Sequence, residues 1–173
     1  MLAGAVLVIG GVALLLLGFS ARDDAEVEGA RPAAGPGELQ PDRGSRHLPA
    51  GEHVPLSGLT DPPTSGAHHP RLVTRDGGRL SPDEIMHALE LGNVILFHAS
   101  ARPPAPLRAL QREVSGPFDA EVAAAGQQVI LARRPGIAPV TAAAWRRLLR
   151  VEDARDPALR DFAEAWIGRG AGG

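Results

Sequence analysis

The chain has 173 residues and 18.0 kDa, with 18 basic side chains against 20 acidic ones and a formal net charge of −2. All of the basic residues are arginine, there is no cysteine and no tyrosine, and the only aromatic side chains are two Trp and four Phe. This composition excludes a disulfide scaffold, a thiolate metal site, a cysteine nucleophile and an aromatic stacking platform, and its charge balance carries no nucleic-acid footprint.

Residues Leu2 to Phe19 form an uncharged apolar run. At a helical rise of about 1.5 Å per residue the run reaches roughly 27 Å, close to the ~30 Å hydrocarbon core of a bilayer. Its length and its lack of a basic start favour an uncleaved single-pass anchor over 1–20 rather than a secretory signal. Lipid contact through this helix is the one partner the sequence implies. Residues 21–46 combine Pro32, Pro36 and Pro41 with glycines and mixed charges and show almost no apolar periodicity. Such composition predicts a disordered stalk, since it cannot bury enough surface to offset chain entropy. The folded unit is then expected over 47–169, an ordinary size for one domain.

That unit reads as a small α+β domain with a few strands packed by about three helices. A short strand is expected around His53 to Leu56, confined by Pro55 to an edge. Asp76-Gly77-Gly78 predicts a hairpin or tight turn. Ser81-Pro82-Asp83-Glu84 is a capping box with proline at the first helical position, so a helix begins here and ends at Gly92. Asn93 to His98 is a continuous apolar run of strand length, as a strand buried on both faces requires. A second helix opens at Pro103, Pro104 and Pro106 with Leu107, Leu110 and Val114 on one stripe, and Gly116-Pro117 closes it. Val129 to Ala132 predicts another strand, while Val140 to Val151 suits either a strand or a helix. Asp156-Pro157 starts a last helix in which Leu159, Phe162, Ala163, Trp166 and Ile167 share one face before Gly168.

Several short motifs occur in a fixed order: Arg46-His47-Leu48-Pro49-Ala50-Gly51, then Pro62-Pro63-Thr64-Ser65-Gly66-Ala67-His68-His69-Pro70, then Met86-His87-Ala88-Leu89-Glu90-Leu91-Gly92. With Gln128 to Leu131, Ala143-Ala144-Trp145 and Phe162 further on, they resemble the bacterial family called domain of unknown function 3105, marked by H-x-P-x-G, PPTSG-x-H and VH-x-LEHG. The resemblance implies a membrane-anchored envelope protein with its domain outside the cytoplasm. It also matches His47, His68 and His87 to the family's histidines. The family's second helical histidine falls at Leu91, which implies weak metal binding here if that pair is the family's ligand set.

Imidazole is the commonest side-chain ligand for zinc and copper. His68 and His87 are therefore the candidate ligands, with His47, His69 or Met86 completing the shell around a copper or zinc ion; copper accepts a His and Met set better than zinc does. In the alternative, the same histidines only fasten the PPTSG loop to the capped helix and the domain is structural or binds a protein partner. No catalytic residue is expected. His87-Ala88-Leu89-Glu90-Leu91 lacks the second ligand of an H-x-x-E-H protease, so Glu90, the general base of that pattern, has no bound metal to serve. Thr64-Ser65-Gly66 lacks a nucleophile elbow and reads as loop geometry, with Gly66 free to take positive φ.

Overall fold

The computed structural model describes residues 35–172. The anchor expected over 1–20 and the part of the expected stalk before Gly35 lie outside the described residues. Among the described residues no helix is long and apolar enough to cross a membrane.

The elements in chain order are β1 (Glu38–Leu39), α1 (Pro82–Leu91), β2 (Val94–His98), α2 (Ala105–Ser115), α3 (Ala120–Ala124), β3 (Val129–Arg133), β4 (Val140–Ala144), β5 (Arg147–Val151) and α4 (Ala158–Trp166). The five strands form one mixed sheet in the order β1-β5-β4-β2-β3. Only β2 and β3 run parallel, joined by the crossover through α2 and α3; the other neighbours are antiparallel. The domain is thus α+β, as the sequence predicts.

Strand β2 sits inside the sheet and is buried along its whole length, so its apolar run has no polar alternation. On one face Val94, Leu96, Val129 and Leu131 pack against Leu107 and Leu110 of α2 and against Leu159, Phe162 and Trp166 of α4. On the other, Ile95, Phe97, Ile130 and Ala143 pack against Ile85, Ala88 and Leu89 of α1. Helix α1 begins as its capping box predicts: Ser81 Oγ accepts from the Glu84 amide at 3.2 Å, and Glu84 Oε2 accepts from the Ser81 amide at 2.8 Å. It ends at Gly92, whose φ of 112° only glycine adopts without strain.

Four expectations need revision or completion. Residues 53–56 form no strand; Gly51, Pro55 and Gly58 around them break any ladder. Val140 to Val151 resolves into two strands, β4 and β5, turned at Trp145-Arg146, where Arg146 takes a φ of 57°. Helix α3, capped by Asp119, has too little apolar period in five residues to read from sequence. Residues 35–46, in the stretch read as stalk, belong to the fold: β1 pairs with β5, and Trp166 Nε1 donates to the Pro36 carbonyl at 2.8 Å. Gly37 fits there because a Cβ would lie 2.5 Å from the Phe162 ring. Composition registers such a glycine as a breaker, although its function is close packing.

Candidate metal centre

Three segments meet over the face of α1 opposite the one whose Ile85, Ala88 and Leu89 pack on the sheet. The PPTSG loop is buried from Pro62 to Ser65. Ser65 Oγ accepts from the Arg43 amide at 3.0 Å and donates to the Pro41 carbonyl at 3.1 Å. Gly66 takes a φ of 142°, its amide donates to the Gly44 carbonyl at 2.8 Å, and a Cβ there would stand 3.1 Å from Leu59. The loop then pairs with the preceding segment in a parallel bridge between His47 and His68, in which the Leu48 amide donates to the His68 carbonyl at 2.8 Å and the His68 amide to the Arg46 carbonyl at 3.1 Å. This pairing brings the two imidazoles side by side.

The third imidazole comes from α1. Asp83, His87 and Glu90 stand at i, i+4 and i+7 and so share one helical stripe. Glu90 Oε2 lies 2.9 Å from His47 Nε2, 3.0 Å from His68 Nε2 and 3.3 Å from His87 Nδ1. The ring centroids are 5.2 to 5.6 Å apart, and one ligand atom from each of the four residues lies within 4.8 Å of all the others. His68 is fully buried, Glu90 is 18% exposed and His47 is 47% exposed, so the group opens to solvent on the His47 side.

Electrostatics follow from this crowding. Burial is the largest influence on His87 and lowers its pKa; the neighbouring imidazoles push the same way, against the hydrogen bond and charge of Glu90. For Glu90, burial alone raises the pKa, but the hydrogen bond from His47, the charge of His68 and the hydrogen bond from His87 outweigh it, and the carboxyl is held below its ordinary value.

Hydrogen-bond chemistry constrains the group further. His68 Nδ1 donates to the Gly66 carbonyl at 2.8 Å, which fixes the proton on that nitrogen, since a carbonyl only accepts. Nε2 of the same ring then faces an acceptor, Glu90 Oε2. A neutral ring has one proton and cannot satisfy both. Moreover, one carboxylate oxygen with two lone pairs faces three ring nitrogens. A second proton or a metal cation relieves this conflict. Bonds of about 2.0–2.1 Å in a tetrahedron place ligand atoms roughly 3.3 Å apart, and the three separations from Glu90 are close to that edge length. A carbonyl that fixes the far nitrogen of a histidine is also the usual support for a ligating imidazole.

The remaining predicted residues lie elsewhere. His69 follows His68 on extended chain and turns to the other side, where Nδ1 pairs with Asp83 Oδ1 at 3.1 Å and Nε2 lies 3.3 Å from the Pro49 carbonyl. Met86 is fully buried with its sulfur against Gly66. Among the described residues the grouped donors are therefore His47, His68, His87 and Glu90. In the sequence Glu90 stands only as the base of an incomplete protease pattern; its spacing from Asp83 and His87 is the signal that puts it on their helical stripe.

No curated protein and no solved structure matches the chain. The sequence family described as "Protein of unknown function (DUF3105)" matches residues 51–172. That span holds the PPTSG loop, all of α1 and strands β2 to β5, and with them three of the four grouped side chains; the chain belongs to this family of proteins of unknown function.

Proposed function

We propose that the domain binds one transition-metal dication, Zn²⁺ or Cu²⁺, through His47 Nε2, His68 Nε2, His87 Nδ1 and Glu90 Oε2, and that it does so as a non-catalytic binding module. Three imidazole nitrogens and one carboxylate oxygen suit these ions and not the harder Mg²⁺ or Ca²⁺. The observation that carries the reading is the pair of acceptors facing the buried His68 ring, Gly66 carbonyl on one side and Glu90 on the other. The apolar run Leu2 to Phe19 supports the further reading that the module is tethered to the outer face of the cell membrane.

A second reading rests on the His47 to His68 bridge. In it the histidines share a proton with Glu90 and fasten the loop to α1 without metal. Calorimetric titration of the full chain in mild detergent with Zn²⁺, Cu²⁺ and Mg²⁺ separates the two. One equivalent of Zn²⁺ or Cu²⁺ bound, with no heat from Mg²⁺ and a loss of at least tenfold in His68→Gln, supports the metal site. Absence of binding, or binding unchanged by His68→Gln, leaves the fastening role. Recovery of the intact chain in the soluble fraction of cells would overturn the membrane reading alone.

A further inference from the structure

His98 of β2 and Arg133 of β3 are register partners at the carboxyl ends of the two parallel strands. Partners in register project to the same side of a sheet, here the side on which Val94, Leu96, Val129 and Leu131 meet α2. His98 is wholly buried. Neither of its ring nitrogens makes a hydrogen bond of normal geometry among the described residues, although the Ser100 backbone acts on the ring, and the buried Nε of Arg133 makes none either. Buried polar groups that the fold leaves without partners are where a water, an ion or a ligand is expected to complete the bonding.

Local charge decides what that is. Arg108, in the first turn of α2, has a guanidinium nitrogen beside Gly77, whose amide donates to the Leu131 carbonyl next to Arg133 on β3, and its charge acts on His98 together with that of Arg133; neither arginine has an ion-pair partner among the described residues. The carboxylate that also acts on His98, Asp76, is already committed: Oδ1 accepts from the Leu131 amide at 2.7 Å and Oδ2 from Gln111 Nε2 at 3.0 Å. Helix α2 starts without a side-chain cap, so its amino end adds positive potential. The surplus is cationic.

We propose that His98, Arg133 and Arg108 hold a small tetrahedral oxyanion, a phosphate group or its sulfate analogue, at the carboxyl ends of β2 and β3. Planar guanidinium donors match such oxygens in geometry as well as charge. The site shares no residue with the His47, His68, His87 and Glu90 group and stands or falls apart from it.

The test uses the full chain in detergent, with inorganic phosphate as the probe followed by ³¹P line broadening, sulfate as competitor and chloride as control. Saturable broadening that sulfate reverses, weakened tenfold or more in Arg108→Gln and Arg133→Gln, is the expected result. Arg108 lies at an exposed position, so Arg108→Gln remains informative even if Arg133→Gln fails to fold. No saturable broadening, broadening unchanged in folded Arg108→Gln, or a crystal soaked in phosphate that shows only a water between His98 and Arg133 overturns the proposal. Vesicles of phosphatidic acid in phosphatidylcholine distinguish the source of the phosphate. Vesicle binding displaced by free phosphate assigns a lipid-borne group to the same site, and no vesicle binding beside saturable phosphate binding assigns a free one. Vesicle binding without any binding of free phosphate overturns the site.

Discussion

His68 and Glu90 meet at 3.0 Å although the imidazole already gives the one proton of its neutral form to the Gly66 carbonyl. This contact needs a second proton or a metal cation, and Glu90→Gln tests what the carboxylate contributes. An amide keeps the shape but removes the charge and presents its NH₂ group as a donor. With metal, Glu90→Gln is expected to weaken Zn²⁺ or Cu²⁺ binding by about 10–100-fold, the usual cost of disturbing a metal site. Without metal it should lower unfolding free energy by about 1–3 kcal/mol, because buried imidazole donors lose their acceptor. Titration calorimetry and urea denaturation of the same preparations read the two effects. Unchanged affinity and unchanged stability would show that the four side chains are neighbours without coupling.

The second prediction concerns Leu91, where the family's helical histidine would stand. The resemblance to the family implies that its loss weakens a metal site built on that helical pair. In the structure the partner of His87 on α1 is Glu90, at i+3, and four donors assemble without position 91. Leu91→His should therefore change Zn²⁺ and Cu²⁺ affinity by less than Glu90→Gln does. A gain of a hundredfold or more on introducing the histidine would show that the helical pair at i, i+4 is the essential ligand set and that Glu90 is secondary.

The third follows from buried imidazoles. His87 and His98 both titrate below the ordinary value of 6.5, chiefly through burial; for His98 the charges of Arg108 and Arg133 add to this, against the Ser100 backbone and Asp76. The unfolded chain therefore takes up protons from about pH 6.5 downward while these rings in the folded chain resist, so stability falls with falling pH in that window. Glu90, held below 4.5, acts in a separate and more acidic window: its contribution is present above the ordinary carboxylate value and is lost as pH falls through the lowered one. In metal-free protein the melting temperature should decline from pH 7.5 to pH 5, and His98→Phe should flatten that decline. A profile flat across this range would contradict the burial of both rings.

How much of this was legible beforehand varies with the physical signal. The capping box at Ser81 and Glu84, the terminal stripe of α4 and the apolar runs of β2 and β3 were legible because each is a local pattern with one outcome. The candidate histidines were legible from their motifs, but that His47, His68 and His87 converge while His69 does not was hidden. His69 separates from His68 because adjacent residues on extended chain face opposite ways. Met86 separates from His87 because one residue along a helix is a turn of about 100°. The partner of the site, Glu90, was obscured by a protease pattern that assigned it the role of a base. Residues 35–46 looked like linker because close-packing glycines and flexible ones have the same composition.

The last prediction tests whether the far end of α1 positions the site. The amides of Gly168 and Ala171 donate to the Gly92 and Glu90 carbonyls at 2.9 and 3.0 Å, so the carboxyl-terminal segment closes the helix that carries Glu90. Gly126 makes this end possible. It has a φ of 74°, and a Cβ there would stand 1.9 Å from the Leu91 carbonyl oxygen. Gly126→Ala combines left-handed backbone strain of about 1–2 kcal/mol with a backbone clash that only a shift of α1 or the α3–β3 turn relieves. Denaturation should show a loss of at least about 2 kcal/mol, and the folded fraction should bind Zn²⁺ or Cu²⁺ more weakly than wild type, because Glu90 moves with the last turn of the helix. Gly136→Ala is the control: its φ of 83° is as strained, but nothing lies within 4 Å of the added carbon and it is remote from α1 in the chain. Equal metal affinity in Gly126→Ala and Gly136→Ala, with equal losses of stability, would show that strain alone matters and that the helix end does not set the geometry of the four donors.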